Sequence, residues 1–279
     1  MSILKMSLRT VYSHLENIFR QQIIDSYPVD WKEDYITMKI LFEYRKLFRN
    51  IEINGLSSLP IKVNSIAYKL DGKPETEFGD IGFLIRITHR NGYFFEGVTS
   101  LEAKVIHKAT RKFQEIKGKQ LNRISSNIKY PMLLMYDFRP IKKFHDYSFF
   151  PSISKSNHVA VVPIDIVELF VKDKDPEYSK KDTRHKTPLD GESIYQFSVP
   201  LAYQILFRYF RGLDLDFNPK LIRSIKGLEF EDLSNVQEIS LPQYLLVISV
   251  SYGDSELSMD FDINTSIFSE IMSSEPEDF

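Results

Sequence analysis

The sequence predicts an α/β fold: a helix, a three-stranded antiparallel meander, a second helix and a further strand, followed by a C-terminal extension. Three observations predict it. Apolar residues recur at helical spacing before residue 50. Three β-rich runs follow, set apart by the turn signals Asp71-Gly72-Lys73-Pro74 and Arg90-Asn91-Gly92. Short continuous apolar runs then alternate with helical patterns.

In order along the chain, Leu8, Val11, Leu15, Ile18, Phe19 and Ile23 mark a helix over Ser7 to Asp25, closed off near Pro28. Ile36, Ile40, Phe42, Leu47 and Phe48 mark a second over Lys32 to Arg49. Strands are expected over Ile61 to Leu70, Phe78 to Thr88 and Tyr93 to His107. Phe113, Ile116, Leu121 and Ile124 share a face of a helix over Thr110 to Ser125, which Gly118 weakens. Pro131 to Tyr136 and Val159 to Ile164 read as buried strands. Pro140 to Asn157 and Lys172 to Glu192 read as polar loops. A helix over Val199 to Arg211 ends at Gly212, and a strand runs near Leu241 to Tyr252. No composition break divides the chain. Residues 1–279 are expected as one domain: an N-terminal helix to residue 31, a core over 32–170 and an extension over 171–279. The acidic tail from Asp254 to Asp278 has no Lys or Arg, and plain solvating disorder is its default reading.

Composition excludes several classes. The chain has 43% hydrophobic and 27% charged residues and a net charge of −2, as in an ordinary globular protein. With no cysteine, disulfides and thiolate metal sites are ruled out, and a reducing cytosol fits. The N-terminus lacks a signal-peptide pattern, and no apolar run reaches membrane-spanning length. The six histidines are scattered without metal-ligand spacing. No phosphate-binding glycine loop or nucleophile elbow is present.

The chemistry-bearing residues lie on the second and third strands. An acid, any residue and a lysine recur as Asp30-Trp-Lys32, Asp71-Gly-Lys73 and Glu115-Ile-Lys117. Only Glu102-Ala103-Lys104 falls on a predicted strand, where residues two apart share a face. A three-residue turn over Arg90 to Gly92, with Gly92 at positive φ, sets Asp80 opposite Glu102. A two-residue Asn91-Gly92 turn sets Asp80 opposite Ala103, unless a bulge at Gly97 restores the facing. The apolar face formed by Ile81, Phe83, Ile85, Ile87, Leu101, Ala103 and Val105 favours the first. Asp80, Glu102 and Lys104 then share the other face. Two carboxylates there need a cation, or Lys104 alone, to balance them. The competing reading is a surface hairpin with a cross-strand ion pair.

This order of elements, with Asp80 on the second strand and Glu102-Ala103-Lys104 on the third, resembles the PD-(D/E)XK nuclease superfamily, whose core is the restriction-endonuclease-like fold. The resemblance covers roughly residues 32 to 138, with Gly79-Asp80 standing where the family name has Pro-Asp. It implies a nuclease that hydrolyses DNA phosphodiester bonds. It implies Mg2+ held by Asp80, Glu102 and the carbonyl of Ala103, with Mn2+ able to substitute. Lys104 would orient or help deprotonate the attacking water and offset phosphorane charge. Some members add an acid from the first core helix and a glutamine from the second. Glu43 and Gln120 are the candidates, against a solvated helix-face glutamate and an ordinary surface amide. Glu75 and Glu77 are further metal candidates. A restriction or anti-phage defence role beside a partner ATPase or sensor is implied by analogy, and a homodimer is expected because double-strand cutting by one-site subunits needs two.

Next to these acids, Lys108, Arg111, Lys112, Lys117, Lys119 and Arg123 form a local cationic stretch, extended by Lys129, Arg139, Lys142 and Lys143. A phosphate backbone would be drawn to it; a solvated helix face is the alternative. No base-reading motif is present, so RNA stands open beside DNA as the partner.

Overall fold

The computed structural model describes residues 3–71, 78–142, 144, 157–174, 186–229 and 241–272. The chain forms a mixed α/β fold around one large sheet. Strand β1 (Leu4–Ser7) leads into α1 (Leu8–Ser26), whose N-cap Ser7 accepts from the Thr10 N–H. Helix α2 (Glu33–Leu47) and β2 (Ile51–Asn54) follow. Next come β3 (Ile61–Leu70), β4 (Ile81–Thr88) and β5 (Phe94–Val105).

The next stretch corrects the sequence reading. The expected helix over Thr110 to Ser125 is divided into β6 (Lys112–Lys117) and α3 (Gly118–Asn127). β6 pairs with β9 (Lys186–Asp190), which arises far along the chain inside the expected polar loop. A distant partner decides this segment, and local periodicity does not register it. Gly118 opens the helix instead of weakening its middle.

The chain continues through β7 (Met132–Tyr136), β8 (Val159–Pro163) and α4 (Ile164–Lys174). After β9 come α5 (Gly191–Ile194), β10 (Val199–Pro200) and α6 (Leu201–Tyr203). α6 runs on as a π-helical turn, Gln204–Arg208, and a 3-10 turn, Tyr209–Arg211, capped by left-handed Gly212. Helix α7 (Pro219–Ile225), β11 (Tyr244–Tyr252) and β12 (Phe268–Glu270) complete the described elements.

The main sheet runs β1-β2-β3-β11-β4-β5-β7-β8-β10, with β12 added beside β3. The meander is therefore not contiguous. β11 lies between β3 and β4, antiparallel to the first and parallel to the second. Its run Tyr-Leu-Leu-Val-Ile-Ser-Val is buried throughout, and such a strand satisfies itself only in a sheet interior. Residues 171–279, expected as an extension, thus supply a central strand. The expected disordered tail is partly folded too: Phe261, Ile267 and Phe268 are core residues, and Glu270 pairs with Arg45. Glu275, Glu277 and Asp278 lie outside the described residues.

Packing on both sheet faces fixes where the acids sit. Ile81, Phe83, Ile85 and Ile87 pack with residues of α1 and α2. On the opposite face Leu84 and Val98 pack with Leu221, Ile222 and Ile225 of α7 and with Phe261.

Candidate active site

The β4–β5 register decides the geometry. Ile81 pairs with Leu101 and Thr88 with Phe94, without interruption. The turn spans three residues: the His89 N–H donates to Tyr93 O, and Gly92 has φ +80°. Asp80, just before β4, therefore falls across from Glu102. No bulge is needed at Gly97. That glycine instead makes room for Phe217 and Leu215, which would lie 2.7 and 2.8 Å from an added Cβ.

Asp80 is delivered by a tight local backbone. Gly79 has φ +76°, and a Cβ there would stand 2.9 Å from the carbonyl oxygen of Leu101. Proline, locked near φ of about −65°, does not fit this position. The Asp80 N–H donates to Leu101 O at 3.0 Å. Its carboxylate Oδ2 accepts from the Ala103 N–H at 2.7 Å, taking the place of a ladder partner.

Glu102 is 1% exposed. Its Oε1 accepts from Lys104 Nζ and, at 2.6 Å, from Gln120 Nε2 on α3. Its Oε2 is buried with no hydrogen-bond partner among the described residues. Lys104 Nζ also donates to the Ala103 carbonyl at 2.5 Å and lies 3.6 Å from Glu33 Oε1. The cluster is not sealed, because Asp80 and Glu33 retain partial exposure.

Burial dominates the electrostatics. It pushes Glu102 up to about 8, the neighbouring Asp80 carboxylate adds to the rise, and Lys104 opposes it. Glu33 is likewise pushed up to about 8 by burial, with Lys104 opposing. Burial also raises Asp80, against the pull of Lys104 and of the Ala103 N–H. For Lys104, burial works against the charged form, but Glu102, Glu33 and Asp80 outweigh it and raise its pKa. Lys104 is thus an ammonium at neutral pH. Three carboxyl groups crowd one cation, a set that further positive charge would relieve.

Glu33 is the residue sequence reasoning missed. Glu33 and Asp34 open α2, where acids ordinarily complement the helix dipole, so their presence carried no separate signal. The site role depends on how α2 docks: the indole N–H of Trp31 donates to Ile106 O at 2.8 Å, pinning the helix start to the end of β5. Glu43 is not at the site. It lies ten residues further on, about 15 Å along the helix axis, and pairs with Lys46. Glu75 and Glu77 lie outside the described residues.

The basic stretch does not form one helix face. Lys108 Nζ donates to Pro28 O and lies 5.7 Å from the Tyr27 ring centre. Arg111, at φ +57°, and Lys112 are exposed on a turn and on β6. Arg123 is half-buried on α3, and the side chains of Lys117 and Lys119 lie outside the description. The split follows from β6 replacing the first half of the expected helix.

No family model, curated protein or solved structure matches the chain. Among the described residues, no group of three or more His, Asp or Glu side chains is arranged to hold a metal ion, and no helix is long and apolar enough to cross a membrane. The donor chemistry nonetheless suits a hard divalent cation. Two adjacent carboxylates, one with an unpartnered buried oxygen, stand beside a backbone carbonyl.

Proposed function

We propose that this chain is a metal-dependent nuclease that hydrolyses DNA phosphodiester bonds through Asp80, Glu102 and Lys104. The carrying observation is the unpartnered Oε2 of buried Glu102 beside Asp80, with the Lys104 ammonium alongside. On this reading β4, β5, α3 and the parallel β7 form the restriction-endonuclease-like part of the fold. Asp80, Glu102 and the Ala103 carbonyl are the groups that would hold Mg2+ or Mn2+. Such a cation supplies a polarised phosphoryl oxygen and a water of lowered pKa.

The protein's own residues do the rest. Lys104, kept protonated by three carboxyl groups, attracts the scissile phosphate and offsets charge that builds in the transition state. That favours its electrostatic role over its role as base. Gln120 fixes the rotamer of Glu102 by donating to Oε1, and Glu33 holds Lys104 from the other side. Control by association with a partner ATPase or sensor, in a defence setting, belongs to this proposal as analogy.

One observation favours a second reading. Lys104 is already bonded to Glu102, so the cluster also suits a non-catalytic, nuclease-like assembly subunit. Plasmid DNA and a structured RNA, each incubated with Mg2+ and with EDTA, separate the readings. The expected result is metal-dependent DNA cleavage that falls at least about a hundredfold in Glu102→Ala and in Lys104→Ala. Equal products from all three proteins would remove the nuclease proposal, and cleavage of RNA alone would change its substrate.

A further inference from the structure

A second polar cluster occupies the sheet face that carries Asp80 and Glu102. Glu96 lies six residues before Glu102 on β5, about 20 Å away at the strand rise. Its carboxylate is held between two cations, Arg86 Nη2 at 2.7 Å and Lys226 Nζ at 2.7 Å. Both cations are largely buried, so two positive charges share one negative charge among the described residues. Arg86 is further held between the rings of Phe94 and Phe261, at 4.5 and 4.3 Å, and donates from Nη1 to Ser258 Oγ. An uncompensated buried cation is costly unless an anion completes it.

The cluster borders an open cleft of about 730 Å3, lined in part by Glu96, Lys226, Arg211 and Arg223. Phe94 and Phe217 also line it and are 57% and 44% exposed. Phe217 is seated over β5 because Gly97 has no side chain to displace it, and it meets Phe95 edge-on at 5.4 Å. The neighbouring segment is tied to the strand by reciprocal backbone bonds between Val98 and Asp216, at 2.8 and 2.7 Å. The aromatic wall is therefore held by the sheet.

We propose that this cleft binds single-stranded nucleic acid, with bases on Phe94 and Phe217 and phosphates against the exposed Arg211 and Arg223, beside the buried excess charge of Arg86 and Lys226. Exposed rings interleaved with cations are what a base-and-phosphate polymer requires, and stacking is tolerant of sequence. The cleft's volume lies within the range of ligand sites, roughly 300–1,000 Å3. At about 3.4 Å per stacked nucleotide, the separation from Glu102 corresponds to roughly six nucleotides, so the cleft would hold a flank of the strand being cut. The choice of a polynucleotide rests on the nuclease proposal; the charge and the rings do not.

Fluorescence anisotropy of labelled oligo(dT) with the full chain in EDTA tests the cleft without cleavage. The expected result is salt-sensitive binding that weakens about tenfold in Phe217→Ala and in Arg223→Glu, each with an unchanged melting temperature. A duplex of equal length is expected to bind more weakly and to be indifferent to Phe217→Ala. Absence of oligo(dT) binding, or equal affinity in both variants, overturns the proposal. Competition by thymidine monophosphate at the same concentration as oligo(dT) also overturns it, in favour of a free-nucleotide pocket. Cleavage with Mg2+ is read separately. A protein that binds oligo(dT) through Phe217 but cuts nothing retains the cleft and loses the nuclease reading.

Discussion

One backbone turn, at Gly79, decides whether Asp80 joins Glu102 and Lys104 in the proposed site. Asp80 reaches the Ala103 N–H only because Gly79 turns at φ +76° against the Leu101 carbonyl. Gly79→Ala is expected to cost about 1–2 kcal/mol from the left-handed backbone alone, with more from the contact at 2.9 Å. A lower urea midpoint together with lost cleavage would bear this out, and unchanged behaviour in both would contradict it. A second residue-scale test lies far from these acids. Glu16, buried in α1, is pushed up from 4.5 to about 8 by burial alone. An acid whose folded pKa is raised holds its proton in the folded state while the unfolded chain has lost it. Its contribution is therefore fully present below 4.5 and is lost as pH rises through about 8. Glu16→Gln is expected to flatten the fall in melting temperature across that window and to be more stable than the parent above it. A parent whose stability does not fall there, or a variant with the same slope, would rule the effect out.

At the scale of elements, the hairpin, helices α1 and α2 and strands β7, β8 and β11 were legible, and the long-range pairing that arranges them was not. The three-residue turn over Arg90 to Gly92, chosen by the apolar alternation on β4 and β5, was enough to place Asp80 across from Glu102, because a turn and a pleat are local devices. Gln120 was a candidate only through the resemblance, which implies a glutamine on the helix after the hairpin, and that helix begins at Gly118. Three features depended on distant partners and left no local trace. β6 is a strand because β9 pairs with it, β11 enters between β3 and β4, and Glu33 rather than Glu43 meets Lys104 because α2 is docked by its start. Trp31 makes that docking testable. Trp31→Phe removes the bond to Ile106 O and is expected to cost about 1 kcal/mol, seen as a lower urea midpoint with an unchanged slope. An unchanged midpoint would show that α2 is held elsewhere.

For the whole molecule, the last third of the chain belongs to the sheet that carries the acids. β11 pairs with β3 along nine residues and with β4 along eight, so the chain ending at residue 240 would expose the edges of both. That truncation is expected to be insoluble or to lack cooperative unfolding. A soluble truncation with a sharp transition would mean that the sheet closes without β11. The same architecture holds two charged clusters on one face of β4 and β5, one built around Glu102 and the other around Glu96. The proposed hydrolysis needs the first of them to hold a cation. Anomalous scattering from crystals soaked in Mn2+ addresses it directly: the expected result is a peak between the carboxylates of Asp80 and Glu102, absent in Glu102→Ala. Fully soaked crystals with no peak there, and with Lys104 still bonded to Glu102, would contradict the account.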